Sequence, residues 1–179
     1  MATWIALLRG INVSGKNLLP MKELVADLES LGYENVRTYI QSGNAIFESS
    51  ARSGARLGEA ISEAIESRHG FRPPVLVLSR RDLAQAIDAN PFPEAEDDPK
   101  SVHLLFLAAR PPRPDLAALE ALRAASERFE LEGKVMYLHA PDGIARSKLA
   151  ARAEKTLGVD GTGRNWRTVR KLEALADAR

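Results

Sequence analysis

The chain has 179 residues, 45 % of them hydrophobic and 27 % charged, with 25 Lys or Arg against 24 Asp or Glu and no Cys. That composition suits one medium soluble domain or two small ones. It excludes disulfides and thiolate chemistry, and a net charge of +1 carries no global signature of nucleic-acid binding.

In chain order, residues 4–11 form a dense apolar run that reads as a central strand. Met21, Leu24, Val25, Leu28 and Leu31 follow at helical spacing, with Pro20 suited to the first helical position and Gly32 to the stop. Residues 36–49 read as a hairpin around Gly43-Asn44. With that pair as a two-residue loop, Ser42 faces Ala45 and Ile40 faces Phe47. One sheet face then carries Val36, Thr38, Ile40, Ala45 and Phe47, and the other Arg37, Tyr39, Gln41, Ile46 and Glu48. A helix over 55–68 and a strand over 74–78 complete a β-α-β-β-α-β unit, the split βαβ arrangement of ferredoxin-like domains. A further helix opens at Ser79, with Asp82 as its capping-box partner, and ends before Asn90-Pro91.

After the Pro-rich acidic stretch the element order repeats. Residues 102–109 read as a strand, 114–125 as a helix, 128–139 as a hairpin around Glu132-Gly133 and 144–157 as a helix. No clear fourth strand follows, only Gly-rich sequence and a last helix from about Asn165 to 176. The expected fold is α+β: tandem ferredoxin-like halves, antiparallel sheets with helices on one face, plus a C-terminal helix. The expected division is 1–90 for the first half with its extra helix, 91–100 for an acidic linker, and 101–179 for a second, incomplete half.

Two segments invite a chemical reading. Gly10, Gly15 and Lys16 fit a phosphate-binding P-loop, but Asn17 stands where the Mg²⁺-coordinating hydroxyl belongs. The helix also starts too late for a P-loop. Strand order brings the loop of residues 10–19, the Gly43-Asn44 turn and the start of the fourth strand to one sheet edge, so Arg9, Asn12, Lys16, Asn17, Gln41, Ser42 and Asn44 converge there. Such convergence on loops held by a sheet builds binding sites, and it equally serves to satisfy turn backbone. The second segment is basic: residues 144–179 hold nine Lys or Arg against four Asp or Glu. Arg164, Asn165 and Arg167 cluster at the start of the last helix, where the macrodipole disfavours cations. A bound anion, the protein's own acidic residues 94–98, or solvent would offset them.

His69, His103 and His139 lack metal-ligand spacing, so neither a metal nor a cofactor is expected. Ser147-Lys148 are adjacent on a helix and cannot act as a pair. Few aromatics are placed to stack on bases, which argues against RNA. No apolar run approaches the roughly 20 residues that span a bilayer. Residues 1–8 are broken by Arg9 and lack a basic leader, so neither a membrane nor a signal peptide is expected, and the cytoplasm is the expected location.

The segments 7–17 (LLRGINVSGKN), 38–44 (TYIQSGN), 89–92 (ANPF), 147–149 (SKL) and 164–172 (RNWRTVRKL) together resemble a bacterial family catalogued as domain of unknown function 1697. The resemblance spans nearly the whole chain. Ser14 departs from the Gly usual in that family. The resemblance implies the tandem ferredoxin-like fold and assigns no activity or catalytic residue. The expected function is binding of a phosphorylated small molecule or nucleotide at an anion site. The alternatives are an enzyme acting on a small phosphorylated or acidic substrate, and a protein-interaction module using an open sheet face around Arg37, Tyr39 and Gln41. Nothing in the sequence sets the oligomeric state.

Overall fold

In a computed structural model, which describes residues 1–178, the chain divides into two compact units: residues 1–85 with the last residues from Lys171, and residues 86–170. Each unit contains a four-stranded antiparallel sheet.

In the first unit, β1 (Ala2–Leu8), α1 (Met21–Ser30), β2 (Glu34–Tyr39), β3 (Asn44–Ser49), α2 (Gly54–His69) and β4 (Val75–Ser79) follow in the expected order, with strand order β2-β3-β1-β4. Central β1 pairs on both sides, Ile5 opposite Ile46 on β3 and Leu78 on β4. Trp4, Ala6, Leu8, Ala45, Phe47 and Val77 form the sheet's helix-facing core. Leu24 and Leu28 of α1 and Leu57, Ile61 and Ile65 of α2 cover it, each burial contributing roughly 1.5–3 kcal/mol. Tyr33 stacks on Phe47 at 4.6 Å between centroids. Close packing of α2 depends on glycine: a Cβ at Gly58 would lie 2.5 Å from the Val75 carbonyl oxygen, and one at Gly54 2.6 Å from that of Val77.

The β2–β3 hairpin differs from its sequence reading. Tyr39 pairs with Asn44, leaving a four-residue connection, and the register is offset by four residues from that of a two-residue Gly43-Asn44 turn. The even offset keeps Thr38 with Ala45 and Arg37 with Ile46, so the faces are unchanged. Asn44 cannot serve as a turn tip because it is fully buried, its amide donating to the Tyr39 carbonyl and Ser42 hydroxyl. Ile40, expected on the helix-facing side, sits in the loop and is exposed.

One buried charge joins the two helices. Asp27 of α1 accepts from Arg68 Nη1 at 3.0 Å and lies 2.8 Å from His69 Nε2 at the end of α2. α3 (Arg80–Asp88) opens with the expected capping box, Asp82 N–H donating to Ser79 Oγ while Ser79 donates to the Asp82 carboxylate.

In the second unit, β5 (Val102–Leu107), α4 (Leu116–Leu122), β6 (Arg128–Glu132), β7 (Val135–His139), α5 (Lys148–Leu157) and β8 (Gly161–Asn165) give strand order β6-β7-β5-β8; α6 (Trp166–Asp177) follows, and its residues from Lys171 count with the first unit. The second half is therefore not incomplete. Its fourth strand, β8, reads GTGRN, which lacks β-branched and aromatic residues apart from Thr162; pairing with β5 overrides that propensity. The β6–β7 turn is Gly133-Lys134, with Gly133 at φ +58°. Ser147 ends a short 3₁₀ turn and caps α5 by accepting from the Ala150 N–H.

Residues 91–100 fold within this unit. Phe92 and Ala95 are buried, and Glu94 pairs with Arg128, which lies over the Phe92 ring at 5.0 Å. Glu94 therefore answers a strand arginine and not the basic start of α6.

Replacing Asp27 with Ala removes two contacts to a buried charge. Urea unfolding is expected to show a loss of about 2–3 kcal/mol. Substituting half-exposed Arg68 alone is expected to have a smaller effect, because His69 still faces the carboxylate.

Candidate functional site

The loop after β1 and the β2–β3 connection do meet at one edge of the first sheet. Leu8 N–H donates to the Gly43 carbonyl at 2.8 Å, and Arg9 N–H donates to Pro74 at 3.1 Å, which brings the start of β4 to the same edge. The Asn12 side chain joins the parts. Its Nδ2 donates to the Leu19 and Gln41 carbonyls at 2.9 and 2.8 Å, and its Oδ1 accepts from Leu19 N–H at 2.7 Å. Asn17 Nδ2 donates to the Gly10 carbonyl at 3.1 Å, and the Asn17 carbonyl accepts from Asn12 N–H at 3.0 Å. A tight turn at 13–16 closes with Lys16 N–H on the Val13 carbonyl.

This geometry is not that of a P-loop. Lys16 lies in a turn, and α1 begins only at Met21. The backbone is unusual instead. Asn12, Ser14 and Asn17 take φ of +53°, +51° and +51°, and Ile40 in the facing turn takes +50°. The left-handed region costs a non-glycine residue roughly 1–2 kcal/mol, least for Asn and most for a β-branched residue such as Ile40. Glycine at position 14, usual in the family resembled, would suit the Ser14 backbone without that cost.

Of the residues expected at this edge, Asn12, Asn17 and Asn44 spend their amides on the loop and hairpin backbone, and Ser42 accepts from Asn44. Gln41 contributes its carbonyl to Asn12. Arg9 and Lys16 are the exposed cations of the edge. Val13 and Leu18, and Ile40 for which the strand pattern predicts a sheet face, are 57, 64 and 49 % exposed on the same loop and turn. Val13 lies between Asn12 and Ser14 and Leu18 follows Asn17, a pattern that reads equally well as core, while Ile40 between Tyr39 and Gln41 has no turn former beside it.

The other three expected site residues lie in the second unit. Arg164 sits on β8, its guanidinium donating to the Gly163 carbonyl at 2.9 Å, and burial lowers its pKa to about 10. Asn165 caps α6, its Oδ1 accepting from Thr168 N–H at 2.9 Å. Arg167 is exposed in the first turn. Trp166, Val169 and Leu172 are buried as their spacing implies.

The open sheet face expected around Arg37, Tyr39 and Gln41 is absent. Ile5, Leu7 and Ile46 share that face and are fully buried, Arg37 and Tyr39 are partly buried, and Arg37 donates to the Ala178 carbonyl at 3.2 Å. A strand pattern shows that a face is apolar, not what covers it. Among the described residues no group of His, Asp or Glu could hold a metal ion, and no helix is long and apolar enough to cross a membrane.

Asn12→Gly keeps access to the left-handed backbone and removes three hydrogen bonds. Urea unfolding is expected to show a loss of about 2–3 kcal/mol, and Leu19 amide exchange should accelerate. Asn12→Ala should cost about 1 kcal/mol more, through backbone strain.

The chain is similar over 98 % of its length to 99 % of a conserved bacterial protein, SP0830 from Streptococcus pneumoniae, with a TM-score of 0.70 and 26 % identity. A search of curated proteins returns no match. Residues 1–137, which hold the whole of the edge just described, match the model of a protein family of unknown function, DUF1697, and the chain belongs to that family.

Proposed function

We propose that this is a cytoplasmic binding protein whose first unit takes the phosphate of a small phosphorylated molecule or nucleotide at the loop edge. The observation that carries this reading is the left-handed loop itself. Ser14 and Gly15, both with positive φ, have N–H groups that make no hydrogen bond among the described residues. Consecutive backbone N–H groups in such turns form concave anion sites. Arg9 and Lys16 add positive charge beside them, and exposed Val13, Leu18 and Ile40 offer apolar contact to the body of a ligand. The strain of Ile40 supports the same reading, since strained backbone concentrates at functional sites. Asn12, Asn17 and Asn44 act here as the frame that holds the loop.

Thermal shift and calorimetry with inorganic phosphate, ribose 5-phosphate, AMP and ADP test the proposal. At least one phosphorylated probe is expected to stabilise the protein, by about 2.7 kcal/mol at 100 times its Kd. Lys16→Ala and Arg9→Ala are each expected to weaken binding about tenfold, equivalent to about 1.4 kcal/mol. If no probe stabilises the wild type, or if binding is unchanged in both variants, the proposal fails.

A further inference from the structure

The second unit contains a cavity of about 330 Å³ between its sheet and α5, walled by His103, Leu105, Met136, Leu138, Ala153 and Gly163. Its origin is legible in the strand register. Leu105 pairs with Met136 on one side and Gly163 on the other, so the edge strand β8 sends no side chain toward the helix layer at that level. A Cβ at Gly163 would have only the Leu105 δ-methyl within 4 Å, at 3.9 Å. The first unit is built the other way. There Val77 of β4 fills the layer, and the glycines lie on helix α2, which drops onto the strand.

The cavity is apolar apart from two groups, His103 and Glu154. The His103 ring makes no hydrogen bond among the described residues. Its Nδ1 is buried without a partner, whereas Nε2 is not among the buried unpartnered atoms and stays accessible. Burying an unpaired N–H is less tolerable than burying an unpaired acceptor. That favours the tautomer with the proton on Nε2, where a ligand acceptor can reach it. Desolvation lowers the His103 pKa, so the ring is neutral at pH 7. A neutral imidazole in an otherwise largely apolar wall offers an anionic occupant no countercharge.

We propose that this cavity is a second ligand site, for a small uncharged and mainly apolar molecule that presents one carbonyl-type acceptor to His103. The volume suits this class: apolar cavities of about 150 Å³ already hold benzene, and ligand pockets start near 300 Å³. The site is separate from the anion edge of the first unit and does not rest on it.

Acetophenone is the test probe. Ethylbenzene lacks its acceptor, and benzoate replaces its neutral carbonyl with a charge. Methyl NMR titrations of the intact protein are expected to show saturable shifts at Met136 and Leu138 with acetophenone, at least fivefold weaker binding of ethylbenzene, and none of benzoate. Gly163→Leu, which fills the void, should weaken acetophenone at least tenfold while far-UV circular dichroism stays native. If that variant misfolds, Ile144→Trp at the partly exposed wall residue Ile144 serves the same purpose. His103→Phe should abolish the preference for acetophenone over ethylbenzene. The proposal is overturned if wild type shows no saturable shift, if benzoate binds as well as acetophenone, or if the folded filling variant binds unchanged.

Discussion

One amide side chain holds the loop edge of the first unit. Asn12 reaches forward to Leu19 with both donor and acceptor, and across to Gln41 in the hairpin connection. It therefore sets the shape of the loop and its distance from the neighbouring turn together. It does so from a left-handed backbone that asparagine tolerates better than most residues. The exposed positive charges and apolar side chains of the edge depend on that frame for their positions. The frame depends in turn on β1 pairing between β3 and β4, which brings Gly43 and Pro74 beside Leu8 and Arg9.

The two halves share an element order and solve helix-on-sheet packing in opposite ways. In the first, Gly54 and Gly58 let α2 approach the β4 backbone until no larger residue fits. In the second, Gly161 and Gly163 lie on the strand. A Cβ at Gly161 would meet Leu105 at 2.8 Å, so that position is filled by its neighbour, while one at Gly163 would touch only the Leu105 δ-methyl, at 3.9 Å. The same residue type, moved from helix to strand, exchanges close packing for a cavity.

Much of the architecture was legible because apolar periodicity and capping chemistry agree. The α1 and α2 stripes, the Ser79–Asp82 capping box and the meeting of the loop with the hairpin connection all follow from residue types at fixed spacing. β8 was hidden because glycines carry no strand propensity and only pairing with β5 makes that segment a strand. The hairpin connection was misread because Gly-Asn matches a two-residue turn, whereas the buried Asn44 amide begins a strand. The site was harder still. The segments that carry the family resemblance contain Asn12, Asn44, Asn90, Ser147 and Asn165, and each of these side chains satisfies a turn or helix end. Those motifs report how the chain folds, which is why they gave so little hold on what it binds. The Asp27 pair with Arg68 and His69 escaped notice because one acid between Leu24 and Leu28 resembles an ordinary surface position.

The opposed placement of glycines also bears on how such a duplicated protein can change. Along the α2–β4 contact a Cβ at Gly54 or Gly58 would have to displace main chain, so those two positions have little freedom to vary. Position 163 is exposed on the edge strand, where a Cβ would touch only Leu105, at 3.9 Å. A larger side chain there can reshape the wall of the cavity while the hydrogen-bonded ladder around it is left alone. The two copies of the fold therefore differ in where a larger side chain can be added.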